Sequence, residues 1–232
     1  MTIGTINPKT AAGISFPKGA LWDMDGVICD NGEIHYQSWV EAFAKYPEVP
    51  FSKELFTKTF GMNNFGVLQT ILGRDPEAEE LTKISDFKEE LFREMIVGKV
   101  EFLPGVEEWL AGFKERGILQ SIASSAPIAN IDALRRELGL DDYFDAFVSA
   151  SEMPSKPNPM VFETAAREIG IAPKNCVVIE DAVTGVQAGV SAGCSVIAVT
   201  TTNSVSALHK ANLVVERLNR VDFNAWANSA AA

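Results

Sequence analysis

The second half of the chain constrains the fold most. From residue 106 onward, short apolar runs alternate with helical stretches. Residues 106–116 carry a helical pattern punctuated by Gly117, and 118–123 read as a strand. Residues 128–138 are helical and stop at Gly139, and 146–149 form a short strand. Residues 159–169 predict a helix with Pro159 at its first position and Asn158 as its cap. Then come a strand over 176–179, a helix over 183–192, a strand over 195–199 and a last one over 213–215. Strands alternating with helices predict an α/β fold, a doubly wound parallel sheet with right-handed crossovers.

The first half reads differently. Residues 19–24 form an apolar strand ending in Asp23-Met24-Asp25-Gly26. Helical patterns follow over 33–46, 52–60, 65–72 and 77–97, the last with Ile84, Phe87, Leu91 and Met95 on one stripe. Four helices without a strand predict an all-helical cap over 34–100, inserted into a core made of 1–33 and 101–232. Leu103-Pro104-Gly105 is the expected hinge. The first eighteen residues read as an arm leading into the first strand and not as a signal peptide. Residues 228–232 are expected to fray.

Composition bounds the partners. Lys plus Arg number 20 and Asp plus Glu 31. That acidity argues against nucleic-acid and anionic-membrane surfaces. No apolar run is long enough to span a bilayer. Cys29, Cys176 and Cys194 sit in apolar runs without a Cys-x-x-Cys pair, which fits core thiols in a reducing, cytoplasmic setting. A monomer or weak homodimer is expected.

At several strand ends an apolar run stops and reactive groups begin. The first ends in Asp23 and Asp25, another in Ser124-Ser125, another in Glu180-Asp181. Lys156 precedes a helix between the last two. In a parallel sheet these ends share one rim, where open α/β folds bind ligands. Four carboxylates with one lysine call for a hard cation, and oxygen ligands select Mg²⁺. Mg²⁺ commonly takes substrate phosphate as a ligand, so the set reads as phosphoryl-transfer machinery. One aspartate can act as nucleophile and another as general acid and base. A hydroxyl and a lysine can hold the phosphoryl oxygens.

These residues resemble the haloacid dehalogenase superfamily of phosphohydrolases, in the branch that contains β-phosphoglucomutase and many sugar-phosphate phosphatases. The resemblance runs from about Gly19 to Thr201, with four motifs in order. It implies Asp23 as nucleophile, Asp25 as general acid and base, and Ser124 and Lys156 as phosphate holders. It implies Mg²⁺ held by Asp23, Asp181, the backbone carbonyl of Asp25, and Glu180 directly or through water. Asp23 is then expected to be ionised and Asp25 able to hold a proton. Ser125 is either a further phosphate ligand or a helix cap. By the same resemblance His35, Asn63 and Asn64 are candidate substrate contacts in the cap, although His35 reads equally as a packed histidine and the asparagines as turn residues. Lys88 reads as a solvated lysine, and His209 and Trp226 carry no signal.

The mutase members carry an arginine where Asn64 stands, and Ser-Lys-Asn where this chain has Ala126-Pro127-Ile128. A bisphosphate needs cations at both ends, so the expected reaction is hydrolysis of a small phosphorylated metabolite, with a sugar phosphate as the expected substrate and interconversion of β-glucose 1-phosphate and glucose 6-phosphate as the alternative. A phosphoacceptor signalling domain would need no helical insert. A carbon–halogen hydrolase would need neither Asp25 nor metal. A dinucleotide-binding domain would show Gly-x-Gly-x-x-Gly after the first strand, and none follows it.

Overall fold

A computed structural model describes residues 14–47 and 49–230. The expected arm over 1–13 and the last two residues lie outside that range. Six parallel strands form one sheet: β1 (Gly19–Trp22), β2 (Leu119–Ser124), β3 (Ala146–Ser149), β4 (Cys176–Glu180), β5 (Ser195–Val199) and β6 (Leu213–Val215), in the order β3-β2-β1-β4-β5-β6. The first strand is therefore central, between β2 and β4. Trp22 stands level with Ile122 on one side and Ile179 on the other. That register brings the ends of β1, β2 and β4 together at one rim.

Successive side chains of a strand face opposite ways. Trp22 and Ile179 join one apolar layer with Trp109, Phe113, Phe223 and Trp226. Leu21 and Val178 join the other with Phe162 and Val196. Helices cover both layers: α5 (Val106–Glu115), α6 (Ile128–Leu138), α7 (Met160–Glu168), α8 (Val183–Ser191) and α9 (Phe223–Ala230). Between β1 and α5 lie α1 (Gly32–Phe43), α2 (Lys53–Thr59), α3 (Asn64–Leu72) and α4 (Ala78–Ile96). These four gather on an apolar cluster of their own that includes Trp39, Phe56, Leu68 and Ile84. Phe92 and Ile96, at the far end of α4, pack instead into the core layer.

Two expectations need correction. The C-terminal segment is helical through Ala230, and Trp226 is a core residue. Its ring lies 4.9 Å from Trp109 and 5.9 Å from Phe113 between centroids. Phe223, Trp226 and Ala227 are all buried, at i, i+3 and i+4 spacing. The backbone of Ala230 accepts a hydrogen bond from Phe16 at 2.9 Å. Trp226→Ala should lower stability by about 3–5 kcal/mol, read as a lower thermal midpoint. A loss under 1 kcal/mol would contradict this packing.

The buried face of α4 is also not the predicted stripe. It runs Ile84, Lys88, Phe92, Ile96, with Ser85 and Glu89 beside it, and Phe87, Leu91 and Met95 are only half-buried. The face is turned by about one residue, roughly 100° of helix. Two charged residues lie inside it.

Candidate active site

β1 stops at Trp22, two residues short of expectation, because the chain turns. Gly26 adopts φ +82°, and a Cβ there would overlap the Asp181 carboxylate. The turn holds Asp23 at the centre of the rim, 6% exposed. Lys156 Nζ donates to Asp23 Oδ1 at 2.6 Å, to Glu180 Oε1 at 2.8 Å and to the Ala123 carbonyl at 3.4 Å. Burial opposes the lysine's charge, but Asp23 and Glu180 hold it well above its ordinary value.

Glu180 is fixed at both oxygens. Its Oε2 accepts the Asp181 and Ala182 backbone N–H groups, both at 2.7 Å. A Cβ at position 185 would collide with this carboxylate, so glycine is required on α8. Asp181 accepts Thr202 Oγ1 at 2.6 Å on Oδ2, while its buried Oδ1 has no partner. Asn203 Nδ2 supports the Asp181 carbonyl at 3.1 Å. Thr202 and Asn203 escaped sequence reasoning, although they follow the end of β5 as the other site residues follow their strands.

Asp23, Glu180 and Asp181 each present a carboxylate oxygen within 4.8 Å of the others. Burial, then Glu180 and Asp25, push Asp23 up to about 7 against the pull of Lys156. Burial, Glu180 and Asp23 push Asp181 well up too. An orphaned carboxylate oxygen among crowded acids fits a hard divalent cation.

The folded chain keeps these two protons into a range where the unfolded chain, with values near 3.8, has released them. Without metal, the folded state then binds more protons, and stability falls as pH rises through that window. Metal competes with the same protons, so Mg²⁺ should raise the melting temperature more at about pH 8 than at about pH 5.5. An equal or smaller rise at pH 8 would contradict this.

Asp25 shows the reverse. Burial would raise it, but His35, Asn31 and Lys88 outweigh burial and its carboxyl lies below the usual range. Asn31 Nδ2 donates to its Oδ1 at 2.5 Å, and His35 Nε2 lies 3.4 Å from its Oδ2. Without a metal, the proton is therefore favoured on Asp23 over Asp25, whereas the expectation of an ionised Asp23 concerns the metal-bound site. His35 contributes most to the lowering of Asp25, then Asn31, and last Lys88, which is 2% exposed and lines the cleft rather than being solvated. Its Nζ lies 3.0 Å from His35 Nδ1. An ammonium only donates, so Nδ1 is the acceptor of this contact and Nε2 is the ring nitrogen that faces Asp25. His35 also stacks on Phe92, 4.0 Å between centroids.

Ser124 is buried on the cleft wall and its Oγ accepts the Ala126 N–H at 3.1 Å. Ser125 Oγ donates to the Gly61 carbonyl of the cap at 2.8 Å, and Pro127 holds the N-cap position of α6, so Ser125 does not cap that helix. Asn64 lines the cleft. Asn63 does not. It caps α3, its Oδ1 accepting the Gly66 N–H at 3.0 Å, and its Nδ2 donates to the Met153 carbonyl at 2.9 Å. It clasps cap to core instead of facing substrate. The space left between cap and rim is about 40 Å³.

A parallel sheet with a helical cap, and with Asp, Ser, Lys and paired acids at its strand ends, defines a class of capped α/β hydrolases. The chain belongs to the haloacid dehalogenase-like hydrolase family, whose profile matches residues 17–193. It is 31% identical over 186 residues to the β-phosphoglucomutase of Bacillus subtilis (strain 168), covering 76% of this chain and 80% of that one. It is 32% identical over 176 residues to the fructose-1-phosphate phosphatase YqaB of Escherichia coli (strain K12), covering 75% and 92%. The crystal structure of β-phosphoglucomutase from Clostridium difficile superposes with a TM-score of 0.83 at 27% identity, over 92% of this chain and 97% of that one. The chain is an enzyme of this family, in its β-phosphoglucomutase-like branch. No helix among the described residues is long and apolar enough to cross a membrane.

Proposed function

We propose that the chain is a Mg²⁺-dependent phosphatase acting on a small sugar or polyol phosphate. The observation that carries the reading is the Asp23–Lys156 pair, 2.6 Å apart beside the orphaned oxygen of Asp181. Relatives that include a fructose-1-phosphate phosphatase and a hexitol phosphatase support the substrate class.

Asp23 attacks phosphorus in line, forming an aspartyl-phosphate as the ester oxygen leaves. Asp25 gives that oxygen its proton, then takes one from the water that attacks the same phosphorus, releasing phosphate and free Asp23. The resting Asp25 is poised for the second role. It takes up its proton for the first when a phosphate dianion arrives and raises it by repulsion. Lys156, Ser124 and the backbone N–H groups at the start of α6 receive the phosphoryl oxygens. Mg²⁺, held by Asp23, Asp181 and the Asp25 carbonyl with Glu180 nearby, would neutralise charge on the transferring group. A space of about 40 Å³ admits a few waters but no sugar phosphate, so the cap over 34–100 opens for substrate and closes over it. A cytoplasmic monomer or weak homodimer completes the proposal.

One incubation separates hydrolysis from the mutase alternative: β-glucose 1-phosphate, a trace of the 1,6-bisphosphate, and Mg²⁺. Inorganic phosphate is expected. Glucose 6-phosphate in its place would overturn the reading in favour of mutase activity.

A further inference from the structure

Asn64 brings no cation to the cap wall, yet Lys88 brings one to the cleft. Its neighbour Glu89 decides what that cation can do. Glu89 is 4% exposed and lines the same cleft. Its Oε2 accepts Lys88 Nζ at 2.9 Å and Asn130 Nδ2 at 2.6 Å. Burial works against its charge, but Lys88, His35 and the hydrogen bonds of Lys88 and Asn64 hold it below the usual carboxylate range. It is therefore an anion at neutral pH. Arg93 is turned away to Asn130 Oδ1 at 3.0 Å. Lys88 and Glu89 belong to cap helix α4, and Asn130 to core helix α6. The carboxylate is thus held in register with the core in this closed arrangement.

We propose that Glu89 is a specificity-determining residue that cancels Lys88 on the cap wall and rejects substrates carrying a second anionic group. This rests on the phosphatase reading and names its substrate class: monophosphate esters of neutral, hydroxyl-bearing alcohols. An unpaired buried ammonium would attract a second phosphate, whereas one neutralised by an adjacent carboxylate does not. The groove beyond Glu89, about 560 Å³, sets Asp86, Glu90 and Glu152 against Arg93 on its walls, so the surface next to Glu89 is net acidic. Rejection comes from a repulsive element rather than a lost attraction.

The test compares kcat/KM for fructose 1-phosphate and fructose 1,6-bisphosphate, which differ only by the second phosphate, using the full chain with Mg²⁺. The wild type should prefer the monophosphate. Glu89→Gln should narrow that preference by roughly tenfold or more, chiefly through KM for the bisphosphate. Glu89→Asp keeps the charge and should keep the preference. Asn64→Lys exchanges a hydrogen-bond partner of Glu89 for a cation on the same wall and keeps the Lys88 and Glu89 side chains. It should also narrow the ratio, which keeps the test open if Glu89→Gln fails to fold. A wild type that hydrolyses both esters equally, or an unchanged ratio in folded Glu89→Gln or, where that variant does not fold, in Asn64→Lys, overturns the role of Glu89. A wild type that releases phosphate from no monoester overturns the phosphatase reading instead.

Discussion

Asp23→Asn is expected to lower turnover by roughly 10⁴-fold or more while the fold persists, the scale on which nucleophile removal acts. The amide keeps the shape of the side chain and can still accept from Lys156 through its oxygen. It cannot attack phosphorus. In the metal-free protein Asp23 is pushed up to about 7 by burial and by its acidic neighbours. Neutralising it removes a repulsion with Glu180 and Asp181, so the melting temperature without Mg²⁺ should hold or rise. Lost activity with a retained melt separates chemistry from folding. Lost activity with a collapsed melt would assign Asp23 a structural role instead.

Lys156→Met should damage both properties at once. The ammonium touches Asp23 and Glu180 from inside the protein, 3% exposed. Removing it leaves buried carboxylates without their shared cation, a loss of about 3–5 kcal/mol. Turnover should fall by about 10²–10³-fold, because a donor aimed at the phosphoryl oxygens is gone. The stability loss should depend on pH in a definite direction. Without Lys156 the folded-state value of Asp23 moves further above about 7, so Asp23 is protonated at low pH and charged only at high pH. The melting deficit should therefore be larger at about pH 8 than at about pH 5.5, and Mg²⁺ should shrink it at pH 8. A deficit independent of pH would show that the lysine acts by packing, over the Phe162 ring 4.9 Å away, rather than by charge.

The sheet was legible because its strands are buried on both sides and read as continuous apolar runs. Ala146–Ser149, Ser195–Val199 and Leu213–Val215 match the sequence expectation residue for residue. The rim was legible for the same reason, since Asp23, Ser124, Glu180 and Asp181 each interrupt such a run. What failed were places where polar residues are buried. Lys88 reads as a solvated lysine and its neighbour Glu89 does not stand out, because hydropathy cannot register a charge that is paired inside. Their burial turns the helix away from the Phe87–Leu91 stripe, and Lys88 adds to the pull of His35 and Asn31 on Asp25. Asn63 was open between a substrate contact and a turn residue because its partners, the carbonyls of residues 150–153, lie almost ninety positions on. The C-terminal helix was missed because its small residues give a weak pattern, although Phe223 and Trp226 already stood three apart.

The most direct measurement stops the reaction with acid during turnover of a labelled phosphate monoester and maps the label by peptide mass spectrometry. Labelled phosphate on the peptide bearing Asp23, absent in Asp23→Asn, is the predicted result. Turnover with no covalent phosphate at any time point, or with the label on another residue, would contradict the central claim that Asp23 is the nucleophile.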